Sequence, residues 1–258
     1  MNDLIMALFD KWSAVLIPMA MVFLRVGAFM ALVPGFGERT VPARIRLGVA
    51  FAFTCIVAPA VSDKLPDATT GFVAFALLIA PETLIGLALG VVVRSALLVI
   101  EMAGSWAAQS SSLSQMFGAS GEPMPAMSHL FVSAGLALAM IGGLHVRVAS
   151  ALILSYDALP AGQFPSAVLM ESWGTAHLSS AFALAFSLSA PFVIAALIYN
   201  IALGFINRAM PALMVSLIGA PALTAGTLAM LVVAAPNMLA LWWSAFMALL
   251  ADPFTVPR

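Results

Sequence analysis

The sequence contains few charged residues. Of its 258 residues, 8% are charged and 63% are hydrophobic, and the mean hydropathy is +1.11. Soluble globular chains carry about 25% charged residues, so this composition excludes an ordinary soluble domain and predicts a chain that lies in lipid or is buried among partners. The net charge of -1 provides no basic face for nucleic acid. We therefore expect no nucleic-acid partner.

The residues needed for disulfide, metal or catalytic sites are also scarce. Cys55 is the only cysteine, so it forms no intrachain disulfide, and we expect it to be a small core residue. The three histidines are too widely spaced for a zinc motif, and no nucleophile elbow or phosphate-binding loop occurs. The sequence predicts no enzyme, no cofactor and no metal site. The acidic start Met1-Asn2-Asp3 is unlike a signal peptide, so we expect the first apolar segment to be retained.

Long apolar segments dominate the chain. A membrane-spanning helix needs about 20 mostly apolar residues, and the segments that meet this length are residues 12–33, 41–62, 71–93, 126–146, 173–206 and 212–250. They predict an all-α fold, a hydrophobic multi-helix membrane-type protein with kinked helices and helical hairpins. The last two segments exceed a hydrocarbon core of about 30 Å, so we expect each to fold back or break.

Prolines and small residues within these segments give local expectations. Because proline removes a backbone donor, we expect kinks at prolines inside the apolar runs, at Pro81, Pro191, Pro211 and Pro221. Gly86 and Gly90 lie four residues apart, a spacing that permits close packing of membrane helices.

Several polar residues lie within or beside the apolar segments, where a charge costs about 2.5–3.5 kcal/mol. We predict that they are buried polar residues or contacts within the assembly: Arg25, Glu82, Arg94, Glu101, His145, Asn200, Asn207 and Arg208. If one helix runs through Leu98, four polar residues share one face of it, namely Arg94, Glu101, Ser105 and Gln109. We expect this face to point toward a lumen or a neighbouring backbone rather than toward lipid. Alternatively, Arg94 and Glu101 mark helix ends at the membrane interface.

The charges in the first two connections predict an orientation. The first connection contains Arg39, Arg44 and Arg46, whereas the second, Asp63-Lys64-Leu65-Pro66-Asp67, is acidic. The positive-inside rule therefore places the N-terminus outside. Later charges are too sparse to orient the chain.

Residues 109–125 differ from the rest of the chain in being rich in Ser, Gly and Pro. Loops longer than about 12–15 residues are usually functional or disordered. Apolar side chains among the glycines favour a functional loop over a disordered linker. We predict a plug or gate loop that involves Gln109, Leu113, Gln115, Met116, Phe117, Gly118 and Met124.

Taken in order, short motifs resemble the FliR / SpaR / SctT family of type III secretion export-gate proteins. They are Phe23-Leu24-Arg25-Val26-Gly27, Pro34-Gly35-Phe36-Gly37, Val41-Pro42-Ala43-Arg44-Ile45-Arg46-Leu47, Pro81-Glu82-Thr83-Leu84-Ile85-Gly86, Gly142-Gly143-Leu144-His145, Ser155-Tyr156, Ala190-Pro191, Asn200, Asn207-Arg208, Pro211 and Gly219-Ala220-Pro221. The last motif favours flagellar members. The chain departs from the family at Ser105 and at Ala212-Leu213-Met214, so no role is transferred to those side chains.

The resemblance implies a single export-gate domain over residues 1–258, with a FliP-like part followed by a FliQ-like hairpin at about residues 180–235. It implies a hetero-oligomeric helical complex with FliP-like and FliQ-like subunits, contacted by an FlhB-like subunit, in the bacterial inner membrane and the flagellar basal body. The expected function is to form part of the closed pore through which unfolded export substrates cross the membrane. The alternatives are a polytopic secondary transporter for a small solute and the injectisome homologue of the same gate.

Overall fold

A computed structural model describes residues 2–38, 40–66, 72–110, 126–210 and 215–255. All regular secondary structure within these residues is helical, which confirms the predicted fold class. The helices are α1 (Asn2–Met30), α2 (Ala43–Ala60), a short 3-10 helix (Ser62–Lys64), α3 (Phe72–Ser110), α4 (Ala126–Ile141), α5 (Leu144–Ala158), α6 (Ala167–Ala209) and α7 (Val215–Ala251).

Four stretches are long and apolar enough to cross a membrane: Ala43–Ala60, Ala76–Ser110, Ala167–Ala209 and Pro221–Ala251. Helices α4 and α5 form a fifth candidate if they are one broken span. This agrees with the predicted multi-helix membrane protein. The predicted orientation, with the N-terminus outside, stays a prediction.

The chain divides into two compact units. The first consists of Met1–Ser95, Gly142–Leu178 and Ala248–Arg258, and the second of Ala96–Ile141 and Ser179–Met247. The single export-gate domain over residues 1–258 and the hairpin at about residues 180–235 stay predictions.

In the first unit, α1 packs against both α2 and α3. A Cβ atom added at Gly86 of α3 would collide with the backbone carbonyl oxygen of Arg25, and one at Gly90 would lie 2.9 Å from Cβ of Leu32. The two glycines thus allow α1 and α3 to pack with their backbones in close contact, as the spacing of the glycines predicts.

In the second unit, Trp242 of α7 anchors the interior. Its indole Nε1 donates a hydrogen bond to the carbonyl oxygen of Ala96 at 2.6 Å, and its ring stacks on Phe246 at a centroid distance of 5.0 Å. A Cβ atom at Gly135 of α4 would collide with Ile100 and lie 3.3 Å from the Trp242 ring. Burying an indole requires a partner for its N–H, and the Ala96 carbonyl is that partner.

The expectation that the last two segments fold back or break is wrong. Helix α6 is continuous over 43 residues and α7 over 37 residues. Pro191 lies inside α6, and Pro221 and Pro236 lie inside α7. Each proline removes a single hydrogen-bond donor, so a helix can bend at that point and still continue. Pro211 lies outside the described residues.

Two other boundaries also differ from the sequence expectations. Helix α3 does not end near Val93 but continues to Ser110, so Leu98 does lie within one helix with Arg94 and Glu101. The fourth segment is interrupted before His145, because α4 ends at Ile141 and Gly143 adopts a left-handed φ of 78° before α5. Glycine reaches this conformation without steric cost.

Cys55 was expected in the core, but it is exposed. The buried side of α2 consists of Ala50, Phe53, Thr54, Val57 and Ala58. Cys55 projects from the other side of the helix, because helical periodicity places it away from this set.

Candidate functional site: a buried arginine and glutamate cluster

Arg25 of α1 and Glu82 of α3 form an ion pair inside the first unit. Nε of Arg25 donates to Oε2 of Glu82 at 2.7 Å, and Nη2 donates to Oε1 at 3.1 Å. The two side chains are 0% and 1% exposed. Two parallel N–H···O bonds of this kind fix the relative direction of both groups, so the pair fastens α1 to α3.

The pair also holds the end of α5 and the connection that follows it. Nη1 of Arg25 donates to the Ser155 hydroxyl at 3.0 Å, and Nη2 donates to the Leu159 carbonyl at 3.0 Å. The Gly162 amide donates to Oε1 of Glu82 at 2.8 Å. Gly162 has a left-handed φ of 77°, which favours glycine at this turn.

An aromatic ring covers the guanidinium. The centre of the Arg25 guanidinium lies 3.8 Å from the ring centroid of Tyr156, which is itself buried. A cation over an aromatic face is stabilised by the ring quadrupole, and more strongly when both are shielded from water. The cluster thus satisfies a charge pair that would otherwise be costly to bury.

Two other predicted polar residues have defined surroundings. Arg94 is half-buried, and its Nη1 donates to Oε1 of Glu38 at 2.6 Å. Glu101 is half-buried in α3, where its backbone carbonyl accepts a hydrogen bond from the Ser128 hydroxyl at 2.7 Å. The Ser105 hydroxyl lies 3.3 Å from the same Ser128 hydroxyl. This part of α3 therefore packs against α4 through small polar groups.

The remaining predicted polar residues lie on the surface of the isolated chain. His145, Asn200, Asn207 and Arg208 are exposed, so none of them is a buried polar residue within this chain. Asn207 and Arg208 lie in the last two turns of α6, where residues 204–209 are exposed on every side. Their predicted contacts within an assembly stay predictions.

Most of the predicted plug lies outside the described residues. Gln109 is exposed in the last turn of α3. The other predicted plug residues, namely Leu113, Gln115, Met116, Phe117, Gly118 and Met124, fall within residues 111–125, which are not described. Within the described ranges, no group of three or more His, Cys, Asp or Glu residues is placed to hold a metal ion.

The sequence profile of the family described as "Bacterial export proteins, family 1" matches residues 16–249, a range that includes the whole Arg25 cluster. The chain belongs to this family. It is 30% identical to the flagellar biosynthetic protein FliR of Caulobacter vibrioides over 244 residues, which cover 92% of this chain and 95% of that protein. Helices α2 to α6 lie entirely within the range that defines the family.

Two further relatives are FliR proteins of other bacteria. The chain is 31% identical to the FliR protein of Escherichia coli over 209 residues, 77% of this chain and 76% of the relative. It is 27% identical to the FliR protein of Bacillus subtilis over 219 residues, 83% of this chain and 84% of the relative. The similarity thus extends over most of the length of each protein.

Arg25 and Glu82 can be identified from the sequence, but the groups that complete the cluster cannot. Ser155 and Tyr156 were noted only as a motif, and the Leu159 carbonyl and Gly162 amide were not identified. Arg25 and Glu82 can be identified because a charged side chain inside an apolar segment needs a partner of opposite charge. Backbone groups in a connection carry no such signal, because every residue has them.

Proposed function

We propose that this chain forms part of the closed pore of a flagellar type III export gate, through which unfolded flagellar substrates cross the inner membrane. Its membership of the export family over residues 16–249 carries the proposal. It is a subunit of the flagellar export apparatus, as its relatives are flagellar biosynthetic proteins. A gate of this kind lets another polypeptide pass through the membrane without making or breaking a covalent bond. We therefore assign this chain no enzymatic activity.

The pore would be closed by residues 109–125. Leu113, Met116, Phe117 and Met124 would seal it, and the serines and glycines between them would let the segment move. Thioether side chains adapt to varied surfaces, and a hydrophobic constriction blocks ions by excluding water. Such a plug would hold back ions and still yield to an unfolded polypeptide.

The FliQ-like hairpin would consist of parts of α6 and α7. The hydroxyl of Tyr199 in α6 donates to the carbonyl oxygen of Gly219 in α7 at 2.9 Å. A Cβ atom at Gly219 would lie 2.9 Å from the Leu203 side chain, so the two helices approach closely here. These contacts support a hairpin that packs as a unit.

The exposed faces of α6 supply surface for partner subunits. Large apolar side chains are exposed along its length, including Phe182, Phe186, Ile194, Ile198 and Phe205. Apolar area of this extent needs lipid or another protein. We propose that FliP-like and FliQ-like subunits cover part of it in the basal body of the inner membrane, and that an FlhB-like subunit contacts the assembled gate.

Affinity purification of the tagged chain from mild detergent, followed by mass spectrometry, tests the assignment. Recovery of a stable complex with FliP-like and FliQ-like proteins would support the gate. Recovery of the chain alone or as a homodimer would contradict it and favour the solute-transporter alternative. Injectisome rather than flagellar partners would select the homologous virulence gate.

A further inference from the structure

Helix α2 has an exposed face that begins with an arginine. Gly48, Phe51 and Cys55 follow Arg44 by four, seven and eleven residues, a spacing that places them on the same side of a helix. Phe51 is 56% exposed, and the neighbouring Ile56 is 58% exposed. The face therefore consists of a cation at the N-terminal end followed by apolar surface.

The positive charge at this end of α2 is not compensated by the described residues. Arg44 is exposed, and Arg46 is half-buried. The ion pairs formed in the described part of the chain involve Arg25, Lys64 and Arg94, and neither of these two arginines. Nε of Arg46 is buried without a hydrogen-bond partner among the same residues.

The other end of the helix has a different charge balance. Lys64, which follows α2, lies 2.7 Å from the Asp157 carboxylate, and Asp63 beside it is exposed. The excess of positive charge is thus confined to the N-terminal end. An apolar helix face with a cation at one end matches a molecule that is itself apolar with an anion at one end.

We propose that Arg44 binds the headgroup of an anionic phospholipid, whose acyl chains lie along the exposed face through Phe51 and Ile56. A guanidinium matches a phosphate in shape and charge. An acidic protein segment would satisfy Arg44 but leave the apolar face uncovered. The inference rests on the membrane location of the chain, which the proposed function requires, and not on a role in a pore.

Cys55 provides a built-in probe, since it is exposed on this face and is the only cysteine. The full chain, labelled at Cys55 with a fluorophore, is reconstituted into nanodiscs of phosphatidylcholine and phosphatidylglycerol. Either the zwitterionic or the anionic lipid is brominated, at the same mole fraction. Because contact with bromine quenches fluorescence, the ratio of the two quenching constants measures the local enrichment of anionic lipid.

We expect the anionic lipid to be enriched about fivefold, the effect of one basic residue near an anionic surface. Arg44→Gln should reduce the ratio to near one. Arg147→Gln removes another exposed arginine, outside α2, and should leave the ratio unchanged. An excess of inorganic phosphate should not lower the ratio if the headgroup of an embedded lipid is the ligand.

Each contrary result has a distinct meaning. Equal quenching by both lipids, or a loss of preference on adding free phosphate, would overturn the phospholipid site while leaving the membrane location intact. Protection of Cys55 from both lipids would show that this face is covered by protein, which overturns the site whatever the role of the chain in export. An unchanged ratio in Arg44→Gln would reject Arg44 as the anchor.

Discussion

Gly86 of α3 lies directly against the backbone carbonyl of Arg25, the residue whose side chain pairs with Glu82 one helical turn away. The close approach of the two helices and the buried ion pair are therefore one contact. A side chain at this position would collide with the backbone of Arg25, so the glycine lets the two helices approach where the pair forms. A small residue and two charged ones thus act together at a single helix crossing.

Gly86→Ala should destabilise the chain, because the added methyl group would collide with backbone rather than with a flexible side chain. Overpacking of this kind costs about 1–3 kcal/mol. The measurement is the thermal unfolding midpoint of the purified chain in mild detergent. Gly174→Ala is the matched control: Gly174 is also inside a helix, but an added Cβ atom would have no neighbour within 4 Å. An equal midpoint for both variants would show that close approach at Gly86 is unimportant.

The effects of substituting Arg25 and Glu82 should not be additive, because either substitution alone leaves a buried group without its partner. Arg25→Met or Glu82→Gln leaves an uncompensated buried group, and loss of one partner of a buried pair costs about 3–5 kcal/mol. The double variant should be less unstable than the sum of the single ones. Strict additivity of the unfolding free energies would contradict a direct interaction.

A half-buried pair provides the comparison for this cycle. Arg94 and Glu38 are 32% and 27% exposed, and pairs near water contribute only about 0–1 kcal/mol. Arg94→Gln and Glu38→Gln should therefore each have a small effect. A loss as large as that expected for the Arg25 variants would show that burial does not set the difference.

The need for charge pairing could be predicted from the sequence, but the partners could not. Arg25 and Glu82 are separated by 57 residues, and Glu101 and Arg208 were equally available by residue type. Only the packing of α1 on α3 selects the pair. Arg208 lies where residues 204–209, the last two turns of α6, are exposed on every side, which its residue type does not indicate.

Helix interruptions were also only partly predictable. Prolines were expected to break the long segments, yet α6 and α7 continue through theirs. The interruption between α4 and α5 occurs at Gly143, whose backbone has a left-handed φ of 78°. A proline affects the backbone hydrogen bonds of a single helical turn, so a long helix can continue past it. Which glycine adopts a left-handed φ depends on tertiary packing, which the sequence does not specify.

Arg208→Ala should reduce assembly and leave the fold of the chain unchanged. Arg208 is exposed near the end of α6, so its removal creates no buried cavity, and the unfolding midpoint should remain within error. Recovery of FliP-like partners in affinity purification should fall several-fold. Arg147→Ala, also exposed, is the control. Normal recovery with Arg208→Ala would exclude this residue from the interface.

Deleting residues 114–121 tests the plug directly. If this segment seals the pore, its removal should open a path for ions while the subunits still assemble, because the packed contacts described above lie outside it. Cells that express the deletion together with its partners should lose membrane potential, measured with a potential-sensitive dye. A second variant that replaces the segment with Gly and Ser of equal length keeps the connection but removes Met116 and Phe117, two of the four proposed sealing residues. If both variants assemble and retain the potential, these residues do not seal the pore; leakage from the deletion alone would show that length, not apolar contact, provides the seal.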